Sequence, residues 1–123
     1  MNDLERQLGR AIEGEVRFDT YSRLLYSTDA SMYQMEPIGV VIPRHAADVQ
    51  AAIEIANARN VPVLPRGGGT SLTGQTVNRA VVLDFTPHMA QVLEVVHTPH
   101  IILVAADRSI LRPCFAPSPF SSP

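Results

Sequence analysis

Apolar residues recur along this chain at two different spacings. Between residues 2 and 13, Leu4, Leu8 and Ile12 fall four positions apart, which sets them on one face of a short helix closed by Gly14. The stretch "RFDTYSRLLYSTDASMYQMEP" then loses any period. Its tyrosines and methionines predict a packed, ordered loop with one helical turn around Tyr21 to Leu25.

From Gly39 the pattern sharpens. "GVVIP" reads as a short buried strand stopped by Pro43, which has no N–H to give to a ladder. "HAADVQAAIEIANARN" places Val49, Ile53 and Ala56 on one face of an amphipathic helix and its charges on a solvated face. "VPVLP" and "AVVLD" follow as strands, and another is expected between Gln91 and Val96. Strand, helix, strand at this spacing predicts a βαβ unit in a small mixed sheet, an α/β (α+β) fold. Prolines crowd into "RPCFAPSPFSSP", so residues 97–123 are expected to be an irregular tail. The organisation is therefore a helix and ordered loop over 1–38, a folded lobe over 39–96, and the tail.

Composition narrows the field of functions. A hydrophobic content of 46% against 18% charged residues suits a globular chain with a core. A net charge of −2 offers no basic footprint, so nucleic acid is not an expected partner. The single Cys114 excludes an intrachain disulfide and fits a reducing, cytoplasmic location. The longest apolar run, "IILVAA", is too short to cross a bilayer, and no transmembrane segment is expected.

The chemistry concentrates in "PRGGGTSLTG", residues 65–74. Consecutive glycines after a strand expose backbone N–H groups without side chains in the way, an arrangement suited to phosphate oxygens. Thr70 and Ser71 add hydroxyls, and Gly74 permits a second close approach. A tight turn alone needs only one glycine. No Lys follows as a P-loop demands, and the glycine spacing does not match the common dinucleotide fingerprint.

The other candidates are weaker. His45, His88, His97 and His100 lack a convincing metal spacing, and His45 stands where a helix N-cap belongs. Cys114 has no evident activating base. Asp84 ends a strand and can cap the next turn, and Asp29 is expected to bond within its own loop.

The run from Val41 to Val95, with "YSTDASMY" upstream, resembles the N-terminal part of the FAD-binding domain of PCMH-type (vanillyl-alcohol-oxidase-type) flavoproteins. Within that superfamily it is most similar to the D-lactate and glycolate dehydrogenase branch, over about residues 17–96. The resemblance implies that Gly67, Gly68, Gly69, Thr70 and Ser71 line the FAD pyrophosphate and that Arg66 braces the loop. It also implies that Gly74 and Gln75 lie beside the ribityl or flavin end, and Pro43 near the adenine. Covalent branches carry a His where this chain has Thr70, so non-covalent FAD is implied.

The resemblance fades after residue 96. The family's Val-x-Pro-Gly segment is missing, and "FAPSP" is only an echo of what normally follows. The expectation is a truncated first lobe of an FAD-dependent oxidoreductase acting on a small D-2-hydroxy acid such as D-lactate, glycolate or D-2-hydroxyglutarate. The alternatives are a non-catalytic remnant and a phosphate- or nucleotide-binding module without turnover. No residue is assigned a catalytic or metal-binding role.

Overall fold

The computed structural model describes residues 3–91, together with the backbone of strands at 94–97 and 102–105. The chain divides after Met89 into two units. In the first, helix α1 (Asp3–Ala11) leads to strand β1 (Glu15–Arg17), helix α2 (Thr20–Leu25), strand β2 (Gly39–Ile42) and helix α3 (Ala46–Ala58). Strands β3 (Val63–Arg66) and β4 (Val81–Asp84) complete it. The second holds β5 (Glu94–His97) and β6 (Ile102–Ala105), paired antiparallel with Val95 opposite Val104.

The first unit is built on one sheet of order β1-β2-β4-β3. Strands β2, β4 and β3 run parallel, with Val40 opposite Val82 and Leu64 opposite the same residue. β1 adds an antiparallel edge, Val16 facing Val41. The central strands are buried at every position, as continuous apolar runs in parallel strands require. Leu4 and Leu8 of α1, Ile12 just after it and Ala52 of α3 pack with Val41, Val81 and Leu83 on one face. Val40, Ile42 and Val82 meet Tyr26 and Leu64 on the other.

The expected mixed α/β sheet is present, with one change of topology. β2 and β3 flank α3 in sequence but are not neighbours, because β4 is inserted between them. β1 has no counterpart in the sequence reading, since three residues are too few to show an alternating pattern. β6 falls inside the segment expected to be irregular, so that expectation is corrected over Ile102–Ala105.

Two readings of α3 also need correction. Ile53 does not face the core: it is 47% exposed, while Asp48, Ala52 and Ala56 are buried. Alanines at a four-residue spacing let the helix backbone approach the core closely, and the stripe they form begins at Asp48. The charges of this helix are therefore not all on a solvated face. Asp48 Oδ1 accepts from Glu13 N (2.9 Å), and Oδ2 accepts from Gly14 N (3.0 Å) and Arg44 N (2.9 Å). His45 holds the N-cap position without a side-chain capping bond. At the other end Asn60 adopts a φ of 53°, and Val61 N donates to Ala56 O at 2.9 Å, closing a Schellman turn.

This arrangement predicts an asymmetry between neighbouring positions. Ile53→Lys is expected to change unfolding free energy by less than about 0.5 kcal/mol. Ala52→Leu is expected to destabilise by about 1–3 kcal/mol through overpacking. Urea denaturation of the two variants tests this, and equal losses would restore Ile53 to the core face.

Candidate functional site

The three parallel strands end at one edge of the sheet. Pro43 follows β2 there and is fully buried, so it closes the strand and presents no face to a ligand. Arg66 ends β3, and the glycine stretch begins with the next residue. Because β4 is parallel to β3 and beside it, the chain must return to the opposite edge before re-entering the sheet. Parallel neighbours need a crossover of about a dozen or more residues. Here Gly67 to Ala80 supplies it without a helix or strand.

The glycines divide into two kinds. Gly69 and Gly74 have φ of +67° and +74°, the left-handed region in which a side chain is strained. A Cβ on Gly69 would lie 2.5 Å from Arg66 Nη2, and one on Gly74 would lie 2.6 Å from Tyr33 Cδ2. The fold itself requires these two. Gly67 and Gly68 have no positive φ, and an added Cβ would meet nothing within 4 Å at the first and only Thr70 Cγ2 at 3.5 Å at the second. The protein's own packing does not require glycine at either position. What a Cβ would fill there is open space beside exposed backbone.

Arg66 holds this loop from beneath. Its Nη1 donates to Thr76 O (3.0 Å) and Tyr26 O (3.4 Å), and its Nη2 donates to Thr28 O (2.8 Å). The guanidinium carbon lies 5.3 Å from the centre of the Tyr26 ring. Among the described residues it forms no ion pair within 4.0 Å, so a positive charge stands under the glycines without a neutralising carboxylate.

The other expected contacts are placed less simply. The Thr70 side chain makes no hydrogen bond among the described residues and sits on an exposed residue. Ser71 Oγ accepts from Thr73 N (3.3 Å) and Gln75 N (3.2 Å) and donates to Gln75 Oε1 (3.3 Å). It therefore spends its hydrogen inside the loop, and both it and Gln75 stay accessible.

A second segment, which the sequence reading left outside the site, is packed against the glycine loop. Residues 26–35 contribute Ala30 N, which donates to Gly69 O at 3.0 Å, and Tyr33, which fills the space over Gly74. The methionines and most tyrosines expected to pack this segment are exposed, Met32 at 90% and Tyr33 at 57%. Hydrogen bonds order it instead. Asp29 Oδ1 accepts from Ser31 N (2.9 Å) as expected of a local turn, and Oδ2 reaches across to Thr76 Oγ1 (2.9 Å). The Ser31 hydroxyl, with the backbone of Ser31 and with Thr76, holds the Asp29 carboxyl down at about 2 despite partial desolvation.

Below Arg66, Tyr26 Oη donates to Asp84 Oδ2 at 2.5 Å, while Asp84 Oδ1 accepts from Thr86 N at 2.9 Å. Burial, with the Asp84 carboxylate, pushes the Tyr26 hydroxyl up to about 12, so it stays a neutral donor. Asp-x-Ser in "STDAS" was a readable signal for the first half of this network. Its reach to Thr76 was not, because that pairing depends on the topology. His88 is exposed; His100, Cys114 and the side chain of His97 lie outside the described residues. Among the described residues no group of His, Cys, Asp or Glu is arranged to hold a metal, and no helix is long and apolar enough to cross a membrane.

The mixed sheet thus delivers a glycine crossover at the carboxyl edge of its parallel strands, above an Arg with no ion-pair partner among the described residues, an arrangement suited to an anionic ligand. Residues 37–106 match the family described as FAD binding domain, and the chain belongs to that family. FAD as the cofactor follows from that membership. D-2-hydroxyglutarate dehydrogenase of Escherichia coli (strain K12) is 36% identical over 98 residues, covering 77% of this chain and 9% of the enzyme. Glycolate oxidase subunit GlcD of Bacillus subtilis (strain 168) is 38% identical over 98 residues, covering 76% of this chain and 20% of that subunit. The solved structure of alkyldihydroxyacetonephosphate synthase superposes with a TM-score of 0.63 at 21% identity, over 76% of this chain and 20% of that one. The chain thus spans a tenth to a fifth of the length of these proteins, and the last comparison bears on the fold alone.

Proposed function

We propose that this chain is the pyrophosphate-binding lobe of an FAD-dependent dehydrogenase acting on a small D-2-hydroxy acid such as D-lactate, glycolate or D-2-hydroxyglutarate. The observation that carries the reading is the pair Gly67 and Gly68, glycines that neither backbone conformation nor neighbouring atoms demand. Backbone N–H groups of residues 67–71, the free Thr70 hydroxyl and the Arg66 charge would hold the pyrophosphate. Gly74 and Gln75 would lie toward the flavin, and Pro43 would support the edge by ending β2. Thr70 has no nucleophilic ring nitrogen, so the flavin would be held without a covalent bond. Bound flavin supplies the electron sink for hydride removal from the acid. The substrate class rests on the names of the two relatives, which are enzymes of such acids. Residues 39–84 with the loop at 26–35 make up the proposed lobe, and the lone Cys114 suits a cytoplasmic setting.

Titration of the purified chain into FAD, followed by flavin fluorescence, tests the reading. Gly67→Val and Gly68→Val are each expected to weaken FAD and ADP binding at least tenfold while leaving the unfolding transition within a few degrees of the parent. Retention of parental affinity in both variants would reduce the loop to a connection between strands.

A further inference from the structure

Thr76, at the far end of the glycine loop, is gripped by two groups of opposite charge. Its carbonyl accepts from Arg66 Nη1 (3.0 Å), and its N–H and hydroxyl both donate to Asp29 Oδ2, at 3.4 and 2.9 Å. Arg66 thereby bonds the end of the loop that begins beside it. The grip continues through Arg66 Nη2 to Thr28 O (2.8 Å), next to Asp29 in sequence, and through Ala30 N to Gly69 O (3.0 Å). Neither Asp29 nor Thr76 belongs to the glycine run, and neither has been given a part in holding a ligand.

We propose that Asp29 is a positioning residue for the dinucleotide: its carboxylate fixes Thr76 and thereby holds the mouth of the loop at the width that presents the amides of Gly67 and Gly68. The inference rests on the reading of this loop as the FAD pyrophosphate site. The carboxylate does not touch the ligand. Its negative charge would repel a phosphate if it faced one, and its four bonds turn both oxygens onto Ser31 and Thr76 instead. The opposing Arg66 leaves the positive end of the grip beneath the glycines. Two opposite charges, joined only through Thr76 and not paired directly, so orient the loop, and the Arg66 end biases it toward anions.

The test uses the full chain and three probes: FAD, ADP and riboflavin. Asp29→Ala is expected to weaken FAD and ADP about tenfold, the loss of charge-assisted hydrogen bonds, and to leave riboflavin, which lacks the pyrophosphate, unchanged. Thr76→Ser keeps the hydroxyl and should bind like the parent, whereas Thr76→Val should behave like Asp29→Ala. Hydrogen exchange in the absence of ligand should quicken across residues 67–76 in Asp29→Ala and stay slow in β2 and β4. Equal FAD affinity in Asp29→Ala and the parent overturns the inference, as does unchanged exchange in the loop. Failure of the parent to bind either FAD or ADP overturns the functional reading instead, and the exchange data then decide whether Asp29 fixes the loop. Thr76→Ser falling with Thr76→Val would show that the site senses packing rather than the hydroxyl, against the proposal.

Discussion

Asp48→Ala is expected to destabilise the first unit by about 3 kcal/mol and to lower its melting temperature by roughly 15–20 °C. The carboxylate is 2% exposed and takes one hydrogen bond each from the backbone of Glu13, Gly14 and Arg44. It thus joins the turn after α1 to the start of α3. Truncation leaves those donors without their acceptor, and water has little access to replace it. Burial pushes the Asp48 carboxyl upward, but the N–H groups of Arg44 and Glu13, then His45 and Gly14, outweigh it and hold the group below the usual carboxylate range. A folded value below the unfolded one means the stabilisation is complete above the ordinary carboxylate pKa. It is lost as pH falls through that value and on through the lower folded one. Urea unfolding at neutral pH and at about pH 3 should therefore show the gap between parent and Asp48→Ala narrowing in acid. A gap that is constant with pH would mean that the ionised form contributes nothing.

The second large effect is expected at Leu8. This side chain is fully buried between α1 and the sheet, in a cluster with Val41, Ala52, Val81 and Leu83. Leu8→Ala should cost about 3–4 kcal/mol, the removed methyl groups plus the cavity that remains. A unit of this size has roughly 5–10 kcal/mol to lose in all, so the variant should unfold at much lower denaturant concentration. Circular dichroism during a urea titration measures this. A loss under about 1 kcal/mol would show that α1 is only loosely docked, and residues 3–11 would then exchange their amides rapidly.

How much of this was readable in the sequence depended on the range of the interactions. α1, α3, β2, β3 and β4 were legible because each carries its own period or apolar run. β1 was not, since Glu15–Arg17 is ordered by pairing with β2 rather than by any pattern of its own. Ile53 misled for a related reason: an apolar residue on an alanine-rich helix looks like the core, but close approach needs the small side chains of Ala52 and Ala56. The glycine loop was legible as a break after β3, and the Arg66 expected to brace it does bond it through Thr76 O. The residues that oppose the loop were hidden, because nothing in "YSTDAS" says that Asp29 will meet Thr76 across 47 positions of chain. Asp48 shows the same limit, reading as a surface charge until Glu13 and Gly14 are brought to it.

The place of β4 has a consequence for how the protein is made. It is the last strand of its sheet to leave the ribosome, yet it occupies a central position between β2 and β3. Until residues 81–84 emerge, β3 has no neighbour and β2 can pair only with β1. The apolar edges of both stay open in the nascent chain, where unpaired strands invite the wrong partner. The glycine crossover is the segment that must carry β4 into that gap, so the same residues proposed to receive a cofactor also complete the sheet at its final step.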